Sequence, residues 1–260
     1  MSEVVRSELR GPAAWVVIDR EERRNALNPE VTSGLLDALA AAGSDDQARV
    51  VVLTGAGGKA FCAGGDLGGG FTADASAAEQ QSLRGQLGDV FLAMQALPKP
   101  VIARVNGHAL GGGYGLMLAA DIVVAVDDAQ IGTPEIDVGL WPHIITAVIQ
   151  RNVPRKVAVE MMLTGRRIDG AEAARWGIVN RAVARSELDR AVDEYVETLA
   201  AKSPAILALG KQSFYRAQDM AFPDALAYLN SMLTLNLQAE DVAEGVGAFL
   251  QKRKPEWKGR

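Results

Sequence analysis

The chain has 260 residues, 48% of them hydrophobic and 23% charged, with a formal net charge of -5 at pH 7. That length allows one sizeable core, or one core with a small appendage, in an ordinary globular composition. The acidic balance argues against a general nucleic-acid binder, which carries a basic face, but leaves room for a local basic pocket around one anionic ligand.

In chain order, β-rich runs are predicted at 15–19 (WVVID), 49–55 (RVVVLTG), 100–107 (PVIARVNG), 121–126 (DIVVAV) and 178–183 (IVNRAV). Alanine- and leucine-rich stretches with helical spacing lie between them, at 29–42 and 82–97. Strands alternating with helices predict an α/β architecture with mainly parallel pairing. The apolar runs at 50–53 and 122–126 predict strands buried on both faces. After residue 186 the β signal stops, and helices are expected over 186–202, 204–218, 222–236 and 239–253, with Pro204 and Pro223 in first turns. The expected organisation is an α/β core over 1–195 and a helical region over 196–260, packed on the core, on a partner subunit, or on both.

The single cysteine, Cys62, can make no intrachain disulfide, which points to a reducing compartment. The opening residues place acids and arginines where a secretory leader needs an apolar core, and no run of about 18 apolar residues occurs. The expected location is therefore cytoplasmic, with no membrane partner. Residues 55–60 (GAGGKA) follow a strand but fit neither a dinucleotide fingerprint nor a P-loop, and no GxSxG elbow occurs. With only His108 and His143, 35 positions apart, no metal site is expected. Chemistry must rest on carboxylates and backbone groups.

Two glycine-rich turns stand out, KAFCAGGDL at 59–67 and NGHALGGGYG at 106–115, each just past a predicted parallel strand. Ligands of open α/β sheets bind at such carboxyl ends. Glycine costs roughly 1 kcal/mol relative to alanine inside a helix, so Gly111, Gly112, Gly113 and Gly115 need a reason. One reason is tight helix–strand packing. The other is a backbone N–H brought close to a ligand oxygen, assisted by the positive end of the helix that continues through GLMLAA.

Residues 15–28 (WVVIDREERRNALN), 59–67, 100–121, 134–140 (PEIDVGL), 163–183 (LTGRRIDGAEAARWGIVNRAV) and AFLQKRKPEW near the end together resemble the enoyl-CoA hydratase/isomerase family, the crotonases. The match runs in order through nearly the whole chain. It implies an α/β, crotonase-like spiral of ββα units with a C-terminal helical trimerisation region, assembled as a homotrimer or a dimer of trimers. It also implies an acyl-CoA substrate whose enolate is held by two backbone N–H groups, here those of Gly65 and Gly112. Gly64, Asp66 and Leu67 beside the first donor, and Gly111 beside the second, fall in the implied substrate site. For the coenzyme, the resemblance implies Arg24 (with Arg23 before it), the backbone of Ala26, Lys59 and Ala60, with Phe249 and Lys252 reaching the nucleotide, sometimes from a neighbouring subunit. No separate cofactor is implied, since coenzyme A is part of the substrate.

The chain departs from the family's hydratases at one position. Their GGGxE glutamate is replaced by Gly115, whereas the glutamate of the PE pair is kept as Glu135. Hydration divides two proton tasks between two carboxylates. Moving a double bond from the 3- to the 2-position needs one group that takes a proton at C2 and returns one at C4. Glu135 is therefore the expected acid/base, in a hydratase or an isomerase with a lean to the latter. His143, in LWPHII, is either an acyl-pocket residue that restores two-group chemistry as a second proton carrier or a packing one. Asp137, two residues from Glu135, is expected to face away from it, Asp66 is expected in a turn or cap, and His108 in a structural role. The alternative is a non-catalytic CoA-binding or interaction protein on the same fold. An RNA-binding role has no basic stretch to support it.

Overall fold

From residue 50 onward the chain repeats one unit, a strand, a short second strand and a helix, and each round adds one strand to each of two sheets. The computed structural model describes residues 4–66 and 76–260. Strands β1 (Val5–Arg10) and β2 (Ala13–Ile18) form an antiparallel hairpin. Helix α1 (Pro29–Ser44) follows, its Asn28 cap accepting a hydrogen bond from the Val31 N–H at 2.9 Å and its proline in the first turn.

The repeating units are β3 (Val50–Gly55), β4 (Ala60–Cys62) and α2 (Ala77–Ala96); then β5 (Val101–Val105), β6 (His108–Leu110) and α3 (Gly112–Ala119); then β7 (Ile122–Val126), β8 (Ile131–Gly132), a 3-10 turn over Pro134–Val138, and α4 (His143–Asn152). Helix α5 (Arg155–Thr164), β9 (Arg167–Ile168), α6 (Gly170–Arg175) and β10 (Arg181–Val183) complete this part. The larger sheet has the order β1-β2-β3-β5-β7-β10 and is parallel after its first pair. The smaller has the order β4-β6-β8-β9, antiparallel only between β8 and β9. Every residue of β3 is buried, as its unbroken apolar run requires.

Parallel pairing of β4 with β6 has the consequence that matters. It sets the carboxyl ends of the two strands side by side, and with them the turns at 63–66 and 111–112.

Four helices close the chain: α7 (Leu188–Ala200), α8 (Pro204–Ala217), α9 (Phe222–Leu237) and α10 (Glu240–Leu250). The position 195/196 falls inside α7, whose Leu188, Ala191, Val192 and Val196 are part of the main core. Helix α8 is tied down by one buried knot. Lys211 Nζ donates to Asp121 at 2.6 Å and to the carbonyls of Met94 and Lys99, while Tyr215 donates to the other Asp121 oxygen at 2.7 Å. The final residues fold back on α10, where the buried Asp241 accepts from Ser203 Oγ and from the N–H groups of Lys258 and Gly259. Helix α9 buries none of its residues in the protomer.

Five strands are absent from the sequence reading: β1, β4, β6, β8 and β9. Four of them are two or three residues long, too short for alternation to register, and the predicted run at 178–183 forms a strand only over Arg181–Val183. Among the described residues no helix is long and apolar enough to cross a membrane.

Candidate active site

The segment after β2 wraps over the end of β4 because one buried asparagine holds it there. Asn25, at φ 57°, donates from Nδ2 to the carbonyls of Ala56 and Ala60 and accepts from the Arg20 N–H. Asparagine tolerates this left-handed conformation better than most residues. The chain then makes a short parallel bridge, with the Leu27 N–H on the Gly64 carbonyl at 2.7 Å and the Asp66 N–H on the Leu27 carbonyl at 2.8 Å. Gly65 lies between these bonds. A second buried asparagine, Asn106, donates to the carbonyls of Gly55 and Gly57 and fixes the turn between β3 and β4.

Gly64, at φ 95°, stands where a Cβ would come within 2.9 Å of the Leu110 carbonyl and 3.4 Å of the Gly112 nitrogen. The two turns therefore touch through glycine backbone, as the close approach demands. Helix α3 opens at Gly112, capped by Gly111 at φ 54° rather than starting at Gly111. Among the described residues, no backbone hydrogen bond uses the N–H of Gly65 or of Gly112. The first N–H groups of a helix have no partner within it, so that of Gly112 is open to an anion.

Glu135 meets this pair of turns. A Cβ at Gly111 would come 2.9 Å from Glu135 Oε1, so the missing side chain is what lets the carboxyl in. Glu135 Oε2 is buried and has no hydrogen-bond partner among the described residues. Burial raises its pKa above the ordinary carboxylate value. A proton-transfer group needs such a pKa, closer to neutrality than that of a free carboxylate.

The remaining glycines answer to packing. A Cβ at Gly113 would strike the Cys62 carbonyl, and one at Gly115 would strike Ile145 Cγ2, with Phe91 Cζ 2.8 Å away. Clearance therefore accounts for the glycines at 113 and 115, while those at 111 and 112 stand where Glu135 and the first turn come close. Burial pushes the Cys62 thiol up to about 12, which leaves it inert at neutral pH.

The other expected site residues fall as follows. Arg24 is exposed at φ 52°, and its carbonyl accepts from Ala63, beside the first turn. Ala26 is buried, its N–H on Arg23 and its carbonyl accepting from Arg20 Nη1. Lys59 is exposed and Ala60 buried at the start of β4. Asp66 forms no cap. It pairs with Arg20 at 3.0 Å, both side chains largely buried, because the wrapped segment delivers the guanidinium to that turn. Leu67 lies outside the described residues.

Asp137 lies in a 3-10 turn rather than an extended segment, and its carboxyl faces Gly165. In a three-residue repeat positions two apart take different faces, whereas in an extended segment they would share one. His108 is structural, its Nδ1 accepting from the Gln130 N–H at 3.0 Å. His143 is exposed at the start of α4. Phe249 is 82% exposed on α10, and among the described residues no hydrogen bond or ion pair links it or Lys252 to the turns or to Glu135. The sequence reading omits Arg20, Asn106 and the apolar residues Leu87, Phe91 and Ile145. The last three carry no polar signal that a search for chemistry would register.

Comparison with known proteins gives a consistent result. A family model described as enoyl-CoA hydratase/isomerase matches residues 11–260. The carnitinyl-CoA dehydratase of Salmonella typhi is 35% identical, with all of both chains covered. Among solved structures, an enoyl-CoA hydratase of Mycobacterium smegmatis is 36% identical with a TM-score of 0.92 over 98% of each chain. The enoyl-CoA hydratase of Bacillus anthracis is 30% identical with a TM-score of 0.92, over 99% of this chain and all of that one.

Proposed function

The chain belongs to the enoyl-CoA hydratase/isomerase family, and from that premise we propose that it shifts the double bond of a 3-enoyl-CoA to the 2-position, with Glu135 as the single acid/base. One observation carries the reading. One buried, partnerless carboxyl oxygen lies beside two turns whose Gly65 and Gly112 N–H groups have no acceptor among the described residues. In this reading the carboxylate takes a proton from C2 of the thioester, and the charge moves to the thioester oxygen. The two N–H groups hold that oxygen, and the same carboxyl returns a proton at C4. Arg24 and Lys59 offer cations for the coenzyme phosphates. Phe249 and Lys252 join them from a neighbouring subunit.

A second reading, addition or removal of water, is favoured by the names of the relatives, which are dehydratase and hydratase. Product analysis separates the two. NMR of the wild type with a 3-enoyl-CoA is expected to stop at the 2-enoyl product. Accumulation of the 3-hydroxyacyl-CoA would favour the second reading, and no turnover of either thioester the non-catalytic alternative.

The oligomer is part of the same proposal. Phe222, Leu226, Leu229, Leu233 and Leu237 are all exposed on α9 at helical spacing, an apolar stripe that a second copy of this chain would cover. Sedimentation equilibrium is expected to give three or six protomers, and the Leu233→Asp/Leu237→Asp variant a smaller species. A monomeric wild type would remove this part, and with it the coenzyme contacts assigned across subunits.

A further inference from the structure

The apolar wall beside the site has its own consequence, which rests on the reading above. Residues three apart on a helix share a face, so position 115 lies one turn along from the Gly112 donor. Among the described residues of α3, that face (Gly112, Gly115, Leu116 and Ala119) carries no polar side chain. The space of a Cβ at 115 is taken by Ile145 from α4 and Phe91 from α2, while a Cβ at 112 would meet Leu27 Cδ1 at 2.9 Å and Leu87 Cδ2 at 3.4 Å. Ile145 and Phe91 are both buried in the main core, so the wall is held by the packing of three helices.

We infer that Ile145, with Phe91, determines reaction specificity by excluding the water that hydration would need. Hydration forms an O–C3 bond from water and delivers a proton to C2, so a water must be held over C3. An ordered water in such a place takes two to four polar partners. Glu135 Oε2 supplies one. The α3 face supplies hydrocarbon. Thr133, two residues before Glu135, has the other partnerless buried oxygen of this segment and is the competing candidate for holding a water.

The test compares wild type, Ile145→Ala, Ile145→Leu, Phe91→Leu and Thr133→Val on 2- and 3-enoyl-CoA in ¹⁸O-water, reading hydrate and isomer by mass and NMR. Ile145→Ala is expected to raise the hydrate-to-isomer ratio at least tenfold, and Ile145→Leu to leave it near wild type. Phe91→Leu gives the same direction if Ile145→Ala fails to fold. A wild type that only isomerises, with an unchanged ratio in folded Ile145→Ala and Phe91→Leu, overturns the wall and leaves the isomerase reading standing. A wild type that hydrates slowly, with Ile145→Ala at least tenfold faster, supports the wall and overturns the isomerase reading. A wild type that hydrates freely, losing this only in Thr133→Val, or one inert to both thioesters, overturns both.

Discussion

Glu135→Gln is expected to lose about 10²–10⁴-fold in kcat, the usual contribution of a positioned acid/base, while its Kd for an acyl-CoA stays near wild type. The amide keeps the shape of the side chain and removes the ionisable group that takes up and returns the proton. The wild-type kcat/KM should rise with pH through a pKa above the ordinary carboxylate range, because burial favours the neutral acid and the base acts only when ionised. Stability should run the other way. Between the unfolded and the raised folded pKa, the folded chain holds a proton that the unfolded chain has lost. This contribution is therefore full below the unfolded value and is lost as pH rises through the folded one. The Glu135→Gln variant stays neutral throughout, so it should melt above wild type at about pH 8 and level with it at about pH 4. Calorimetry at the two pH values and steady-state kinetics check both halves. Turnover above a tenth of wild type would remove Glu135 from the chemistry. Equal melting at both pH values would mean that the carboxyl is solvated despite its partnerless oxygen.

The parts of this molecule legible in the sequence are those written in long patterns. The apolar runs of β3 and β7 announce buried parallel strands, and the prolines at 204 and 223 mark starts of the final helices, which begin at Pro204 and Phe222. The site is legible in a different way. Gly111 and Gly112 stand out because glycine is costly at the head of a helix, whereas Gly64, Gly65 and Glu135 are picked out by the family resemblance, and the fold brings these five together. What the sequence hides is contact across elements. Nothing local in Asp66 says that Arg20, 46 positions earlier, will occupy its carboxylate. Nothing in Ile145 marks it as the residue that closes position 115. Strands of two or three residues are equally silent, because they are made by pairing with neighbours in the smaller sheet and not by their own propensity.

Gly112→Pro and Gly112→Ala form the pair that isolates the second N–H. Position 112 is the first residue of α3, where proline is tolerated because that N–H has no helical partner and the ring's φ suits the helix. Gly111, at φ 54° and ψ -124°, is already outside the α region that a following proline disfavours. Both variants add a Cβ that meets Leu27 Cδ1 at 2.9 Å, the far end of a movable side chain, so they share that disturbance. They differ in the donor. Alanine keeps the N–H, and proline replaces it with a ring carbon aimed at the place the oxyanion would occupy. Loss of one oxyanion donor costs roughly 2.7–4 kcal/mol of transition-state stabilisation, so the Gly112→Pro variant is expected about 10²–10³-fold below the Gly112→Ala variant in kcat. The Tm values of the two should be similar. If the two variants turn over alike, the charge in the transition state is not held from position 112, and the opening of α3 serves the packing of the turns alone. If proline alone is slow at matched stability, the partnerless N–H of a glycine-led helix is a catalytic group, and the low helix propensity of the glycines at 111 and 112 is offset by the charge they allow the backbone to meet.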